Sequence, residues 1–247
     1  SRGLGDVYKR QVFQYVVLSL PCKNSQNFLK LFFSVTILNE KNRFVIFVRN
    51  YRSMEIEIEK HPLEPFLPPK AKLLMLGSFP PQRKRWSMDF YYPNLNNDMW
   101  RIVGLLFFGD KEHFLNESRK AFCREQIVDF LNEKGIALFD TASSIRRLQD
   151  NASDKFLEVV QPTDIAALLR QLPECRAIVT TGQKATDTLR EQLEVGEPKV
   201  GDYAEFVFEG RAMRLYRMPS SSRAYPLALD KKAAAYRIMY QDLQMLV

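Results

Sequence analysis

The sequence holds few of the residues that build metal centres and disulfide frameworks. Its 247 residues include three cysteines, Cys22, Cys123 and Cys175, and two histidines, His61 and His113. The cysteines are scattered and form no C-x-x-C pair, so a disulfide scaffold, a zinc site and an iron–sulfur cluster are all disfavoured. Buried, reduced thiols are the plainer reading, and they fit a cytoplasmic location. Both histidines read as non-functional, and neither a metal nor a cofactor is expected. Long apolar runs are scarce too. The stretch 31–48 is interrupted by Asn39, Glu40, Lys41, Asn42 and Arg43, too broken for a membrane span.

Acidic residues are scarce at one end only. Residues 1–53 carry nine Lys or Arg and two acids, Asp6 and Glu40. Removing them from the chain's 36 bases and 29 acids leaves 27 of each. The net charge of +7 therefore belongs to the N-terminal stretch, and any nucleic-acid affinity of the remainder must come from local patches. The opening SRGLGDVYKRQ is encoded, residue by residue, by the transposon-adapter DNA used in sequencing libraries. Residues 1–11 read as that adapter, and 12–53 as upstream sequence translated through to Met54. Lys9-Arg10, the following apolar run and Pro21-Cys22 imitate a secretory signal, but the basic pair lies inside the adapter match. A single domain over 54–247 is expected, with no targeting segment and with monomer as the default state.

Within that domain short apolar runs alternate with amphipathic ones. Residues 72–79, 136–141 and 177–181 read as buried strands, and 203–210 with 212–218 as a hairpin-like pair supplying the fourth core strand. Helical spacing marks 97–108, 117–134, 162–172, 182–193 and 229–243. This order predicts an α/β three-layer sandwich: a short, mostly parallel four-stranded sheet with helices on both faces. Ligands of such sheets sit beyond the carboxyl ends of the strands.

Three loops would meet at that edge. The first, 77–100, combines Gly77, Ser78 and Phe79 with a Pro80-Pro81 stop, the basic cluster Arg83, Lys84 and Arg85, aromatics including Tyr91 and Tyr92, and the amides Asn94, Asn96 and Asn97. Stacking rings, edge-reading amides and phosphate-seeking cations suit a pocket for an extruded base. An ordinary aromatic corner under a solvated basic loop is the plain alternative. The second loop, from Thr180 through Thr181 and Gly182 to Ala185, opens a helix whose N–H groups can bind an anion or a base carbonyl. The third, 217–226, strings Ser220, Ser221 and Ser222 before Arg223 and Tyr225. Its hydroxyls could grip phosphates and Arg223 or Tyr225 could wedge into a base stack, unless it is merely a serine-rich turn.

Together these segments resemble the uracil-DNA glycosylase superfamily. MPSSSR (218–223) with the helix behind it is similar to the loop and final helix of mismatch-specific thymine/uracil-DNA glycosylases. The G-S-F-P start (77–80), followed by Y-Y-x-x-x-x-N-x-x-W (91–100), is similar to the hypoxanthine-DNA glycosylase branch, and 135–140 and 182–185 are similar to interior positions of both families. The resemblance covers nearly all of residues 70–245. It implies a monofunctional, metal-free hydrolase that removes a flipped deaminated base, uracil or hypoxanthine, from DNA containing a damaged or mismatched base. By that likeness Asn97 is the catalytic asparagine. Gly77, Ser78, Phe79, Tyr91, Tyr92 and Thr181 hold the base. Ser220, Ser221, Ser222, Arg223, Arg83, Lys84 and Arg85 hold the DNA. Phe79 stands where mismatch-specific enzymes carry their own asparagine, and Pro81 replaces a usual glycine. A catalytically silent DNA-binding member and a nucleoside-type hydrolase therefore remain as alternatives.

Overall fold

The computed structural model describes residues 13–21, 28–40, 43–52, 57–148 and 154–246, so the adapter segment 1–11 lies outside the described residues. The chain divides into two units, Ser1–Ile56 and Glu57–Val247. In the first, β1 (Phe13–Pro21), β2 (Phe28–Glu40) and β3 (Arg43–Arg52) form an antiparallel sheet in that order.

The second unit opens with β4 (Ile58–Lys60) and is built around β5 (Leu73–Gly77), β6 (Ile136–Asp140) and β9 (Ala177–Thr181). Every residue of β5, β6 and β9 is buried. Successive strand residues point to opposite faces, so full burial requires cover on both sides. That cover comes from α1 (Met99–Phe108), α2 (Arg124–Lys134), α3 (Ile165–Gln171), α4 (Gln183–Arg190) and α5 (Leu229–Asp242). Among them α2 packs on β6, α4 on β9, and α5 on both α1 and the strand β11 (Arg211–Met218). The joints are cut short by local chemistry. Gly135 closes α2 at φ +67° and β6 begins at the next residue, while Asp164 caps α3 by accepting from the Ala167 N–H.

The sheet departs from the expected layout. It has five strands, not four, in the order β10-β11-β9-β5-β6, because the hairpin contributes both its arms. The strand β10 (Asp202–Phe208) pairs antiparallel with β11 at the edge, and the other four run parallel. A second sheet, antiparallel and in the order β4-β7-β8, was not expected at all. Its members β7 (Ala142–Arg147, ASSIRR) and β8 (Leu157–Pro162, LEVVQP) lack an apolar run, and β4 has three residues. Their pairing is held by neighbours distant in sequence, which hydrophobic periodicity does not register. No helix among the described residues is long and apolar enough to cross a membrane.

This small sheet bears on the loop after β5. Arg147, at the end of β7, has a buried side chain that donates to both carboxylate oxygens of Glu59 at 2.9 and 3.0 Å. It also donates to the Pro80 carbonyl at 3.2 Å, bracing the proline turn from behind. Because Leu76 has no exposed surface in the central strand, Leu76→Ala is expected to cost about 2–5 kcal/mol through lost transfer energy and an unfilled cavity. Urea unfolding measures this, and a cost below about 1 kcal/mol would contradict a close-packed core here.

Candidate active site

The carboxyl ends of β5, β6, β9 and β11 deliver their loops into one cavity of about 780 Å³. Gly77, Ser78, Phe79, Tyr91, Tyr92, Asn97, Thr181, Ser220, Ser221, Ser222 and Arg85 all line it. That volume lies within the range of small-molecule clefts. The first and third loops do more than face each other. Asn97 and Ser222 form an antiparallel bridge, the Asp98 N–H donates to the Ser221 carbonyl at 2.8 Å, and the Arg223 N–H donates to the Asn96 carbonyl at 3.2 Å.

A buried charge cluster locks this junction. Lys232 has no exposed surface, yet its Nζ lies 3.0 Å from Asp98 Oδ2 and 2.7 Å from the Ser222 carbonyl. Asp98 Oδ1 accepts from Arg223 Nε at 2.9 Å. An ammonium is tolerated without water only when such acceptors replace its hydration. Lys232 lies on the buried stripe of α5 with Tyr236, Met239 and Tyr240 at +4, +7 and +8. That misplaced charge is the signal that sequence reading passed over.

Asn97 sits half-buried at the cavity wall. Its Oδ1 accepts from the Met99 N–H at 2.9 Å and so caps the start of α1. No partner of its Nδ2 is found among the described residues, which leaves a donor available to a ligand. Tyr92 adopts φ +49°, a left-handed conformation costing about 1–3 kcal/mol in a non-glycine residue. Its ring packs edge-on against Trp100, and its hydroxyl lies 3.4 Å from Thr181 Oγ1. Tyr91 is buried and donates to the Glu64 carbonyl at 2.8 Å, so it supports the wall more than it offers a free face. Burial, then the Asp140 carboxylate, pushes both phenols well above the usual tyrosine range, and they stay donors. Phe79 packs with Ala142, Ile145 and Leu157 in a small second core.

In the serine loop, Ser220 Oγ accepts from the Ser222 N–H at 3.3 Å and Ser222 Oγ from the Ala224 N–H at 3.2 Å. Both hydroxyls keep their own proton to donate, whereas Ser221 is buried. The basic residues scatter. Arg85 reaches the cavity, Arg83 pairs with Asp89 and lies 4.0 Å over the Trp86 ring, and Lys84 is exposed on the short 3-10 turn Arg83–Arg85. Arg223 does not line the main cavity. It faces a second depression with Asp98.

Two carboxylates in the cavity were not foreseen. Asp140, the last residue of β6, is buried, and its Oδ2 lies 3.0 Å from Nε2 of His61. Nδ1 of His61 lies 2.7 Å from the Leu63 carbonyl. The Leu63 N–H donates to Nδ1 at 3.2 Å, which leaves the Nε2–H to donate to Asp140, so His61 holds that carboxylate from behind. A β-carbon at Gly77 would collide with Asp140 Oδ1, so glycine is what lets the carboxylate lie against the end of β5. Asp154 accepts from Ser78 Oγ at 2.8 Å. Burial raises its pKa above the ordinary aspartate value, opposed by the Ser78 hydrogen bond. An acid closing an all-apolar strand run was the available cue for Asp140. Nothing in the sequence pointed to Asp154. Among the described residues no group of three His, Cys, Asp or Glu is placed to hold a metal ion.

Removing the buried ammonium tests the junction. Lys232→Met is expected to destabilise the fold by about 3 kcal/mol, since Asp98 keeps Arg223 but loses its buried partner. Pairing the change with Asp98→Asn should recover much of that loss. Urea midpoints for the single and double variants decide the matter, and a single-variant cost near zero would remove the cluster's structural role.

Comparison with known proteins follows this geometry. No family model matches the chain. The hypoxanthine DNA glycosylase of Methanosarcina acetivorans is 27% identical over 115 residues, 47% of this chain. The match spans 66% of that relative's length. The solution NMR structure of a candidate uracil DNA glycosylase from Methanosarcina acetivorans superposes with a TM-score of 0.51 at 21% identity, covering 76% of this chain and 99% of that one. The sequence match is thus to a hypoxanthine DNA glycosylase, and the structural match shows a shared fold.

Proposed function

We propose that the chain is a monofunctional DNA glycosylase that hydrolyses the N-glycosidic bond of a flipped deaminated base, uracil or hypoxanthine. The observation that carries this reading is the stitched junction of Asn97 with Ser222, which gathers every proposed base-holding residue around one cavity. The hypoxanthine DNA glycosylase relative supports it.

The selectivity rests on hydrogen-bond sense. Deamination converts a ring nitrogen lone pair of cytosine or adenine into an N–H. A carboxylate can accept from that N–H but repels a lone pair, so Asp140, held from behind by His61, favours the deaminated base. Tyr92 and Thr181 supply O–H groups for the adjoining carbonyl. The transition state pairs an oxocarbenium-like sugar with a departing base anion, which fixed dipoles in a dry pocket stabilise. Asn97 Nδ2 holds the attacking water by its oxygen. Asp154 takes the water's proton as its hydroxyl adds to C1′, and the base leaves with the bonding electron pair. Ser220 and Ser222 donate to the flanking phosphates.

One observation favours a catalytically silent DNA-binding member instead: one of the two Asn97 Oδ1 lone pairs is already committed to the start of α1, which leaves a single acceptor position toward water. Base release from duplexes carrying uracil, hypoxanthine or a G·T mismatch separates the two readings. Wild type is expected to release a deaminated base. Asn97→Ala and Asp140→Ala are each expected to lose about a hundredfold or more in kcat. Inertness of wild type on every lesion would overturn the glycosylase reading.

The raised Asp154 carboxyl sets a pH dependence. The group must be ionised to accept a proton, so kcat/KM should fall as pH drops through a pKa higher than that of an ordinary aspartate. Asp154→Asn should slow the reaction and abolish that acid limb. A pH–rate profile unchanged by the substitution would remove Asp154 from the proton transfer.

A further inference from the structure

On the far side of the Asn97–Ser222 bridge lies a second depression of about 460 Å³, lined by Asp98, Arg101, Lys111, Glu112, Arg223, Leu227, Leu229 and Lys232. Four cations meet two carboxylates there, and those two are already engaged. Asp98 is shared between Lys232 and Arg223, and Glu112 pairs with Arg119 at 3.0 Å. Arg101 donates to the carbonyls of Leu95 at 2.8 Å and Asn97 at 3.4 Å, and has no ion-pair partner among the described residues. Lys111 is exposed and likewise has none among them. Burial, then the neighbouring Arg223 charge, pulls the Arg101 pKa down from its usual value, against the smaller opposing effect of Asp98 and Glu112. The helix α5 starts at this basin, and its N-cap residue, Ala228, offers its first N–H groups no side-chain acceptor.

We propose that this basin binds a phosphodiester of the nucleic-acid strand whose base occupies the main cavity, with Arg101, Lys111 and Arg223 as its cations. The proposal rests on the glycosylase reading for the strand's placement. One backbone junction walls both depressions: Asn97, Ser221 and Ser222 face the cavity, while Asp98 and Arg223 face the basin. A strand entering the cavity must cross this wall, and its next phosphates arrive over unpaired positive charge. Arg223 is then a phosphate ligand pre-oriented by Asp98, not a wedge in the base stack. The anchored Nε leaves the rest of the guanidinium fork for a bidentate phosphate contact.

The test uses Lys111→Gln, Arg223→Gln and the double variant of the full chain. Both side chains are exposed, and equal thermal midpoints would verify folding. Binding of a fluorescent duplex, with and without uracil, is followed by anisotropy across a salt series. Losing the one phosphate contact should lower the slope of log K against log salt by about 0.9 in the double variant. The loss should be the same for damaged and undamaged duplexes. A wild-type slope in the double variant overturns the proposal. So does a wedge pattern, in which Arg223→Gln slows base release while Lys111→Gln leaves the slope unchanged. Inorganic phosphate binding that the double variant loses, with the DNA slope intact, would assign the basin to free phosphate and also overturn it. If wild type binds with the expected slope but releases no base, the glycosylase reading falls and the basin stands on its slope.

Discussion

The ammonium of Lys232, sealed from solvent, holds Asp98 and the carbonyls of Ser221 and Ser222 in one place. These acceptors come from two regions, the start of α1 and the loop after β11, while α5 carries the lysine itself. Bringing a charge out of water is costly, and the penalty is offset only if all its acceptors are present together. The arrangement is therefore close to all-or-none. Once it forms, the serine loop cannot drift from the asparagine loop, and one cavity results instead of two separate turns.

The remaining walls are positioned by similar indirect means. Arg147 draws Glu59 and the Pro80 carbonyl together, so the small antiparallel sheet sets the course of the chain after β5. Thr141 N–H bonds to the Gly77 carbonyl at 2.9 Å, and Thr163 Oγ1 donates to the Asp140 carbonyl at 2.7 Å. The ends of β5 and β6 are thereby fixed to each other beneath the carboxylate. His61 then restricts Asp140 to one orientation. Polar groups oriented in this way, before any ligand arrives, need not reorganise when charge develops near them.

Much of this was open to reading from residue order. The runs 72–79, 136–141 and 177–181 became β5, β6 and β9 with ends displaced by a few residues at most, and all five expected helices are present, although the one expected from 117 begins only at Arg124. The Ser220–Ser222 turn and the Gly77–Asn97 loop stood out because their side chains are unusual for surface connections. Asp154, Arg101 and Lys111 did not stand out, since an aspartate in a 3-10 turn, an arginine on a helix or a lysine in a loop is ordinary until its neighbours are known. His61 looked idle for the same reason: Asp140 lies seventy-nine positions away.

Short-range physics settled the elements. Apolar runs without polar interruption must be strands covered on both faces or buried helix, and glycine and capping residues decide where each stops. Which polar groups face one another was decided only by the folded chain. The pairs Asp98–Lys232, His61–Asp140 and Arg147–Glu59 join distant segments, and their orientation depends on a water-poor setting that exists nowhere in the extended chain. Sequence sufficed for the sheet's central strands and for the loops at its edge. Tertiary packing alone chose the fifth strand, the second sheet and the carboxylates that face the cavity, because those choices turn on which groups lose their water together.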